Sequence, residues 1–294
     1  MTVELSVIVP ALDEARHIRA QLVAILGQAC PAPFEVVVAD GGSADGTREI
    51  VESTAAADLR LRLVGVPGSR SSAQAVNAAV AASRGRGLVY THADDVLAPG
   101  CLAALHDALR RYPMAAARLD HRALNPAWTV SFRGIDQTTD VAHWPGGPPW
   151  PFGYGNALAA RREVHEAVGG WDETVGCAAD MDFCFRVARD TGAEPAFVPD
   201  AVVRYRHRRT LAGTLRQASA FAVSEMAVQE RHRDAWPEPQ RSLAVSRIVV
   251  RNARRLLVPD AARGRLDPVR TRAALGAWVW GLGADVGRHR AVRR

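Results

Sequence analysis

The 294-residue sequence predicts an α/β protein: a Rossmann-like, mostly parallel sheet flanked by helices, followed by a helical, basic C-terminal extension. Three observations carry that prediction. Four short apolar runs alternate with three helical segments in the first hundred residues, the pattern of parallel strands joined by helical crossovers. The first run, Leu5 to Pro10, is almost continuously apolar, as a strand buried on both faces is. Acids then follow the strand ends, at Asp13-Glu14, Asp40 and Asp94-Asp95, where open α/β sheets bind their ligands.

The elements follow in order. Leu5 to Pro10 reads as a central strand closed by proline. After Ala11-Leu12-Asp13-Glu14, Ile18, Leu22, Ile25 and Leu26 repeat with helical spacing, and Gly27 ends the helix. Phe34 to Ala39 is the second strand. It enters Asp40-Gly41-Gly42-Ser43-Ala44-Asp45-Gly46-Thr47, whose glycines permit tight turns and whose Asp45 or Thr47 can cap the helix through Ile50-Val51. Leu61 to Val64 is a third strand, and a small-residue helix, Ser72 to Ser83, follows. Leu88-Val89-Tyr90, bounded by Gly87 and Pro99, is too short for a helix and reads as a buried strand running into Thr91-His92-Ala93-Asp94-Asp95.

Adjacent carboxylates at the end of a buried strand are costly unless paired or bound to a metal. One reading is a divalent ion that holds a diphosphate. The other is an N-cap, with Asp95 capping a helix through Leu102 to Leu105. The topology favours the first, because three sets of acids meet along one sheet edge.

Composition narrows the class. With 48% hydrophobic and 23% charged residues the chain can bury a large core. Cys30, Cys101, Cys177 and Cys184 contain no CxxC pair and read as free thiols of a reducing compartment. No secretory signal opens the sequence, and no window supplies the ~18 apolar residues of a membrane span, so a cytoplasmic protein is expected. The chain carries +6, yet from Arg241 onward thirteen arginines face three acids, so the remainder is net acidic. There is no lysine.

Downstream, helical periodicity persists past Arg216-Gln217 through Phe221 and Met226, then breaks at Trp236-Pro237-Glu238-Pro239. Leu243 to Leu257 reads as a basic amphipathic helix, and Ala273 to Val286 holds Trp278-Val279-Trp280 among small residues. Two readings stand: peripheral contact with the anionic inner face of a membrane, or a helix packed on the body. Nucleic acid is not expected as a partner, since no aromatic-interleaved reader accompanies the arginines.

The ordered set SVIVPALDE, VVVADGGSADGT, THADDVLAPG, GNALAARREVHEAVGGWDE, ADMDFCFR, VPDAVVRYRHR and LRQ resembles the family-2 glycosyltransferases of GT-A fold over residues 3–220. The resemblance implies an inverting enzyme, assisted by Mg2+ or Mn2+. It would move a sugar from a UDP-, GDP- or dTDP-sugar to a hydroxyl of a sugar, lipid-linked or small-molecule acceptor, as in bacterial cell-envelope polysaccharide synthesis. It implies a catalytic domain at 1–215, with a nucleotide-binding half (1–120) and an acceptor half (121–215), and an extension at 216–294.

Residue by residue, the resemblance puts Pro10, Ala11, Asp13 and Glu14 in the nucleoside pocket, Asp40 and Gly42 at the base, and Arg70 and Asn77 near the nucleotide. Asp94 matches the last acid of a DxD motif and would ligate the metal, with His207 completing the site. His92 replaces the first acid of that motif, and Asp95 would take up part of its work. Asp180 matches the general base of inverting relatives. Ala179 stands where a further acid is usual, so the Asp180 pKa should rise less than theirs. Asp182 would cap or salt-bridge its helix. Trp171, Asp172 and Asn156 are expected at the acceptor side. The stretch Trp144 to Gly153 is either a loop that closes over the acceptor or a rigid surface loop.

Two rival functions remain at this level: a non-catalytic nucleotide-sugar-binding protein, prompted by His92 and Ala179, and a sugar nucleotidyltransferase, which needs a glycine-rich basic loop that PALDEARHI lacks. The absence of GxGxxG after the first strand argues against a NAD-binding dehydrogenase.

Overall fold

The computed structural model describes residues 3–69, 71–133, 136–144, 147–236 and 268–292. The predicted alternation is present as β1 (Leu5–Ala11), α1 (Ile18–Leu26), β2 (Phe34–Asp40), α2 (Thr47–Ala57), β3 (Leu61–Gly65), α3 (Ser72–Ala82) and β4 (Gly87–Tyr90). A two-residue strand β5 (Val96–Leu97), α4 (Cys101–Arg111), β6 (Met114–Asp120), α5 (Ala127–Arg133), β7 (Leu158–Arg161) and α6 (Arg162–Ala167) follow. Then come α7 (Ala179–Thr191), β8 (Pro195–Arg204), α8 (Leu211–Arg231) and α9 (Pro268–Val292).

The eight strands form one sheet in the order β3-β2-β1-β4-β7-β6-β8-β5. β1 pairs in parallel with β2 and β4, and β3 with β2. β7 enters antiparallel between β4 and β6, which lets β6 and β8 run in the same direction as β1. The carboxyl ends of β1, β2, β4, β6 and β8 therefore share one rim. Two apolar layers cover the sheet, one built on Ile18, Leu22, Leu102 and Leu105 and the other on Val76, Phe183, Phe185 and Trp171.

The cap reading of Asp95 is not what the fold uses. α4 starts at Cys101 behind Gly100, which sits at φ +82, and Asp95 is buried upstream of it. α8 runs through the 215/216 boundary at which the extension is expected to begin. α9 lies along α8 with so little clearance that a Cβ on Gly283 would come 2.6 Å from the Leu215 carbonyl oxygen. Trp280 packs on Phe221 and under the Arg133 guanidinium, 3.4 Å from the ring centre. The Trp278-Val279-Trp280 segment thus belongs to a helix packed on the body. The Leu243 to Leu257 segment lies outside the described residues. No helix among the described residues is long and apolar enough to cross a membrane. The described parts of the aromatic loop are pinned: Ala142 bridges Phe152, and Trp144 and Trp150 pack on Trp236 and Phe185.

One polar residue sits inside β2 against the apolar pattern. Glu35 is 2% exposed and accepts from the Ser6 hydroxyl (2.8 Å), the Arg84 amide (2.5 Å) and the Arg62 guanidinium (2.8 Å). Burial works to raise its pKa, and these hydrogen bonds outweigh it and hold the carboxylate low. Glu35→Ala should cost about 2–3 kcal/mol in urea unfolding. That is less than the ~3–5 of a fully buried pair, because Arg62 and Arg84 are 39% and 66% exposed and partly screened. An unchanged midpoint would show that water replaces the carboxylate at no cost.

Candidate active site

The rim is assembled by strand register. Ala11 stands opposite Asp40, and Ile8 opposite Tyr90, so the loops after β1, β2 and β4 leave the sheet side by side. Side chains then lace the first two loops together. The Asp13 amide donates to Ser43 Oγ (2.8 Å) and the Ala44 amide to Asp13 Oδ1 (2.9 Å). The Glu14 amide donates to Thr47 Oγ1 (2.7 Å) and the Ala15 amide to Asp45 Oδ2 (3.0 Å). Asp13 adopts φ +54, a conformation aspartate tolerates better than most residues. Asp40 is buried and accepts from the amides of Gly42 and Ser43, both at 3.3 Å, while Gly42 turns at φ +100. Pro10 and Ala11 end β1 beside this turn.

At the end of β4, His92, Asp94 and Asp95 offer donor atoms within 4.8 Å of one another. Each is held in place differently. Asp95 is fully buried; its Oδ2 accepts from Asn156 Nδ2 (2.7 Å) and its Oδ1 from the Arg206 amide (2.8 Å). Burial, and next the neighbouring Asp94, push the Asp95 pKa well up. Asp94 is 8% exposed and faces Arg208 at 3.3 Å, while Arg206 Nε donates to the Asp94 carbonyl (2.7 Å). Burial lowers the His92 pKa against the pull of Asp94 and Asp180, leaving a neutral imidazole. Glu14 joins the set electrostatically: burial and then Asp94 raise its pKa. Gln21, buried on α1, fixes the loop by donating to Thr91 Oγ1 and the His92 carbonyl (both 3.0 Å) and accepting from the Leu97 amide (3.0 Å).

These residues fit a hard divalent cation. A neutral imidazole and carboxylate oxygens are suitable donors, and phosphate oxygens of a bound nucleotide would complete the shell.

Asp180 opens α7. Its Oδ2 accepts from the Gly155 amide (2.7 Å) and its Oδ1 from the Met181 amide (2.9 Å). Burial raises its pKa against those bonds and against His92. Only glycine fits at 155, since a Cβ there would lie 2.5 Å from the Trp171 ring and 3.0 Å from Asp180 Cβ. Asp182 makes the expected helix salt bridge, to Arg186 (2.7 Å), and also accepts from His232 (3.0 Å).

His207 stands apart from the His92–Asp94–Asp95 group. It is 3% exposed, and its Nε2 lies 3.2 Å from His121 Nδ1. Burial depresses its pKa to about 3. Its Nδ1 is buried with no hydrogen-bond partner among the described residues.

The expected acceptor residues are otherwise employed. Trp171 is 4% exposed and packs on Tyr90 and Phe183, so it is core. Asp172 accepts from the Thr174 amide (2.7 Å) and pairs with Arg231 of α8. Asn156 holds Asp95. Asn77 is also spent: its Nδ2 donates to the Trp171 carbonyl (2.8 Å) and its Oδ1 accepts from the Trp171 amide (3.0 Å), tying α3 to the Gly169-Gly170-Trp171 turn. Arg70 lies outside the described residues. Sequence reasoning missed Gln21, His121, Arg206 and Arg208. The arginines stand in the motif Tyr205-Arg206-His207-Arg208, and their place beyond β8 on the shared rim was the available signal.

A family model described as glycosyl transferase family 2 matches residues 6–168. The succinoglycan biosynthesis protein ExoA of Rhizobium meliloti is 31% identical over 202 residues, which cover 62% of this chain and 57% of ExoA. The uncharacterized glycosyltransferase YfnE of Bacillus subtilis is 38% identical over 101 residues, covering 34% of this chain and 25% of YfnE. The chain thus spans from a quarter to somewhat over half the length of these relatives. Among solved structures, the mannosyltransferase PcManGT from Pyrobaculum calidifontis, in complex with GDP-Man and Mn2+, matches with a TM-score of 0.64. The identity is 24%, and the match covers 97% of this chain and 87% of that one. S. aureus TarS 1-349 in complex with UDP-GlcNAc gives a TM-score of 0.56 at 15% identity, covering 95% and 90%. At these identities the structural likeness establishes the fold.

Proposed function

Because the chain belongs to glycosyl transferase family 2 and has the GT-A fold, we propose that it transfers a sugar from a nucleoside-diphosphate sugar to an acceptor hydroxyl with inversion. The observation that carries the reading is the meeting of His92, Asp94 and Asp95 within 4.8 Å at the strand ends.

In this reading the loops after β1 and β2 hold the nucleoside, through Asp13, Glu14, Asp40 and Gly42. Asp94 would hold Mg2+ or Mn2+ with His92, while the expected ligand His207 lies outside their group. When bound, the ion would neutralise charge on the departing diphosphate. Arg206 and Arg208 keep that region cationic and orient Asp94. Asp180 accepts the proton of the attacking hydroxyl, and the Gly155 and Met181 amides fix its oxygens before the acceptor arrives. One displacement inverts the anomeric carbon. Asp95 is fully bonded, and its task is to position the loop.

The test is a thermal-shift panel of UDP-, GDP- and dTDP-sugars with and without Mn2+. A donor at a hundred times its Kd should add about 2.7 kcal/mol to the folded state, and only when Mn2+ is present. Equal shifts with and without Mn2+ would remove the metal from the reading, and no shift with any donor would remove the donor site.

A further inference from the structure

One of the three donors gathered beyond β4 is a nitrogen. His92, Asp94 and Asp95 each bring a ligand atom within 4.8 Å of the others, little more than twice a metal–oxygen bond of about 2.1 Å. The loop that carries the imidazole is fixed from α1. Gln21, fully buried, donates to Thr91 Oγ1 and to the His92 carbonyl and accepts from the Leu97 amide, all at 3.0 Å. Among the described residues, neither ring nitrogen of His92 has a hydrogen-bond partner. The neutral ring therefore keeps a lone pair for a ligand.

Oxygen donors are scarcer here than two adjacent aspartates suggest. Both Asp95 carboxylate oxygens accept hydrogen bonds, from Asn156 (2.7 Å) and the Arg206 amide (2.8 Å). Asp94 pairs with Arg208 at 3.3 Å, and Arg206 Nε donates to the Asp94 carbonyl (2.7 Å). An entering cation thus meets one exchangeable carboxylate, one imidazole and two guanidinium groups. That set serves Mg2+ poorly, because Mg2+ takes oxygen ligands, gives up water reluctantly and is held through carboxylates and phosphates. Imidazole suits the first-row transition ions, and the affinity of a mixed nitrogen and oxygen site rises from Mn2+ through Fe2+ to Co2+.

We propose that His92 makes this a transition-metal site. Its imidazole nitrogen ligates the ion and sets the order of affinity, Co2+ above Mn2+ and Mn2+ above Mg2+. His92 is thereby the residue that determines metal selectivity, while Asp94 supplies the oxygen that any of the three ions needs. The assignment rests on the proposed reading of Asp94 as a metal ligand, and the experiment separates the two.

The probes are Mn2+, Co2+ and Mg2+ on the full chain, each alone and with UDP, GDP or dTDP to complete the shell. Mn2+ binding is followed by loss of its free-ion EPR signal, with Co2+ and Mg2+ as competitors. Pulsed EPR of the bound Mn2+ reads a coordinated imidazole nitrogen directly. The wild type should show that nitrogen, and Co2+ should displace Mn2+ more readily than Mg2+ does. His92→Asp should erase the nitrogen signal, strengthen competition by Mg2+ and weaken competition by Co2+. His207→Ala should change neither readout, and Asp94→Ala should lose all three ions. Bound Mn2+ without an imidazole nitrogen in the wild type overturns the proposal, even if His92→Asp does not fold, and leaves Asp94 as the ligand. So does a nitrogen signal that survives His92→Asp and vanishes in His207→Ala, or an order of competition that His92→Asp leaves unaltered. If no ion binds the wild type in any combination, the reading of Asp94 falls as well.

Discussion

Asp180→Asn should lower the transfer rate by about 10²–10⁴-fold, the span a positioned general base contributes, while leaving the donor-induced thermal shift in place. The substitution keeps the size of the side chain. It keeps an oxygen to accept from one of the Gly155 and Met181 amides, gives up the hydrogen bond to the other, and removes the ability to take a proton. The pH profile gives a second check. Burial raises the Asp180 pKa, so the acid limb of kcat should lie above that of a free aspartate. The sign follows from the role. The base works ionised, so the rate rises with pH through that raised pKa and falls as pH drops through it. Full activity in Asp180→Asn, or an acid limb at the value of a free aspartate, would assign proton removal elsewhere.

The frame of this site was legible in the chain because it depends on strand ends. Val7-Ile8-Val9 and Val36-Val37-Val38 announce buried parallel strands, and parallel strands deliver their following acids to one rim whatever the crossovers look like. Asp94 and Asp180 could therefore be singled out, one from its place after β4 and the other through the family resemblance. The second layer was not legible. Asn156 reads as an acceptor residue until β7 is seen to run antiparallel beside β4, which brings its amide onto Asp95. Trp171 reads as a sugar platform because sequence cannot distinguish an aromatic on a cleft from one beneath it, and here Tyr90 and Phe183 cover it. His121 carries no local signal, because its significance lies in a ring 86 residues away that shares the same end of the sheet. Glu35 was hidden in the same way: inside FEVVVA it looks like an interruption, and only the fold brings Arg62, Arg84 and Ser6 around it.

Asp94→Ala should lower kcat/KM by about 10²–10³-fold, comparable with losing one preorganised charge-stabilising group, and should abolish the Mn2+-dependent part of the donor thermal shift. The two effects share a cause. Asp95 has both carboxylate oxygens bonded to Asn156 and Arg206, whereas the Asp94 carboxylate meets, among the described residues, an ion pair with Arg208 at 3.3 Å. Arg208 is 48% exposed, and water screens the pair, so exchanging it for a cation and a diphosphate costs little. Removing Asp94 thus leaves Arg208 free to meet the diphosphate directly, and residual donor binding without Mn2+ is the expected remainder. Asp95→Asn provides the contrast. It disturbs a buried, bonded side chain, so its main effect should be a lower Tm, with Mn2+ dependence retained in whatever folds. Should Asp94→Ala keep its Mn2+ response while Asp95→Asn loses it, the metal-binding role would pass from Asp94 to Asp95.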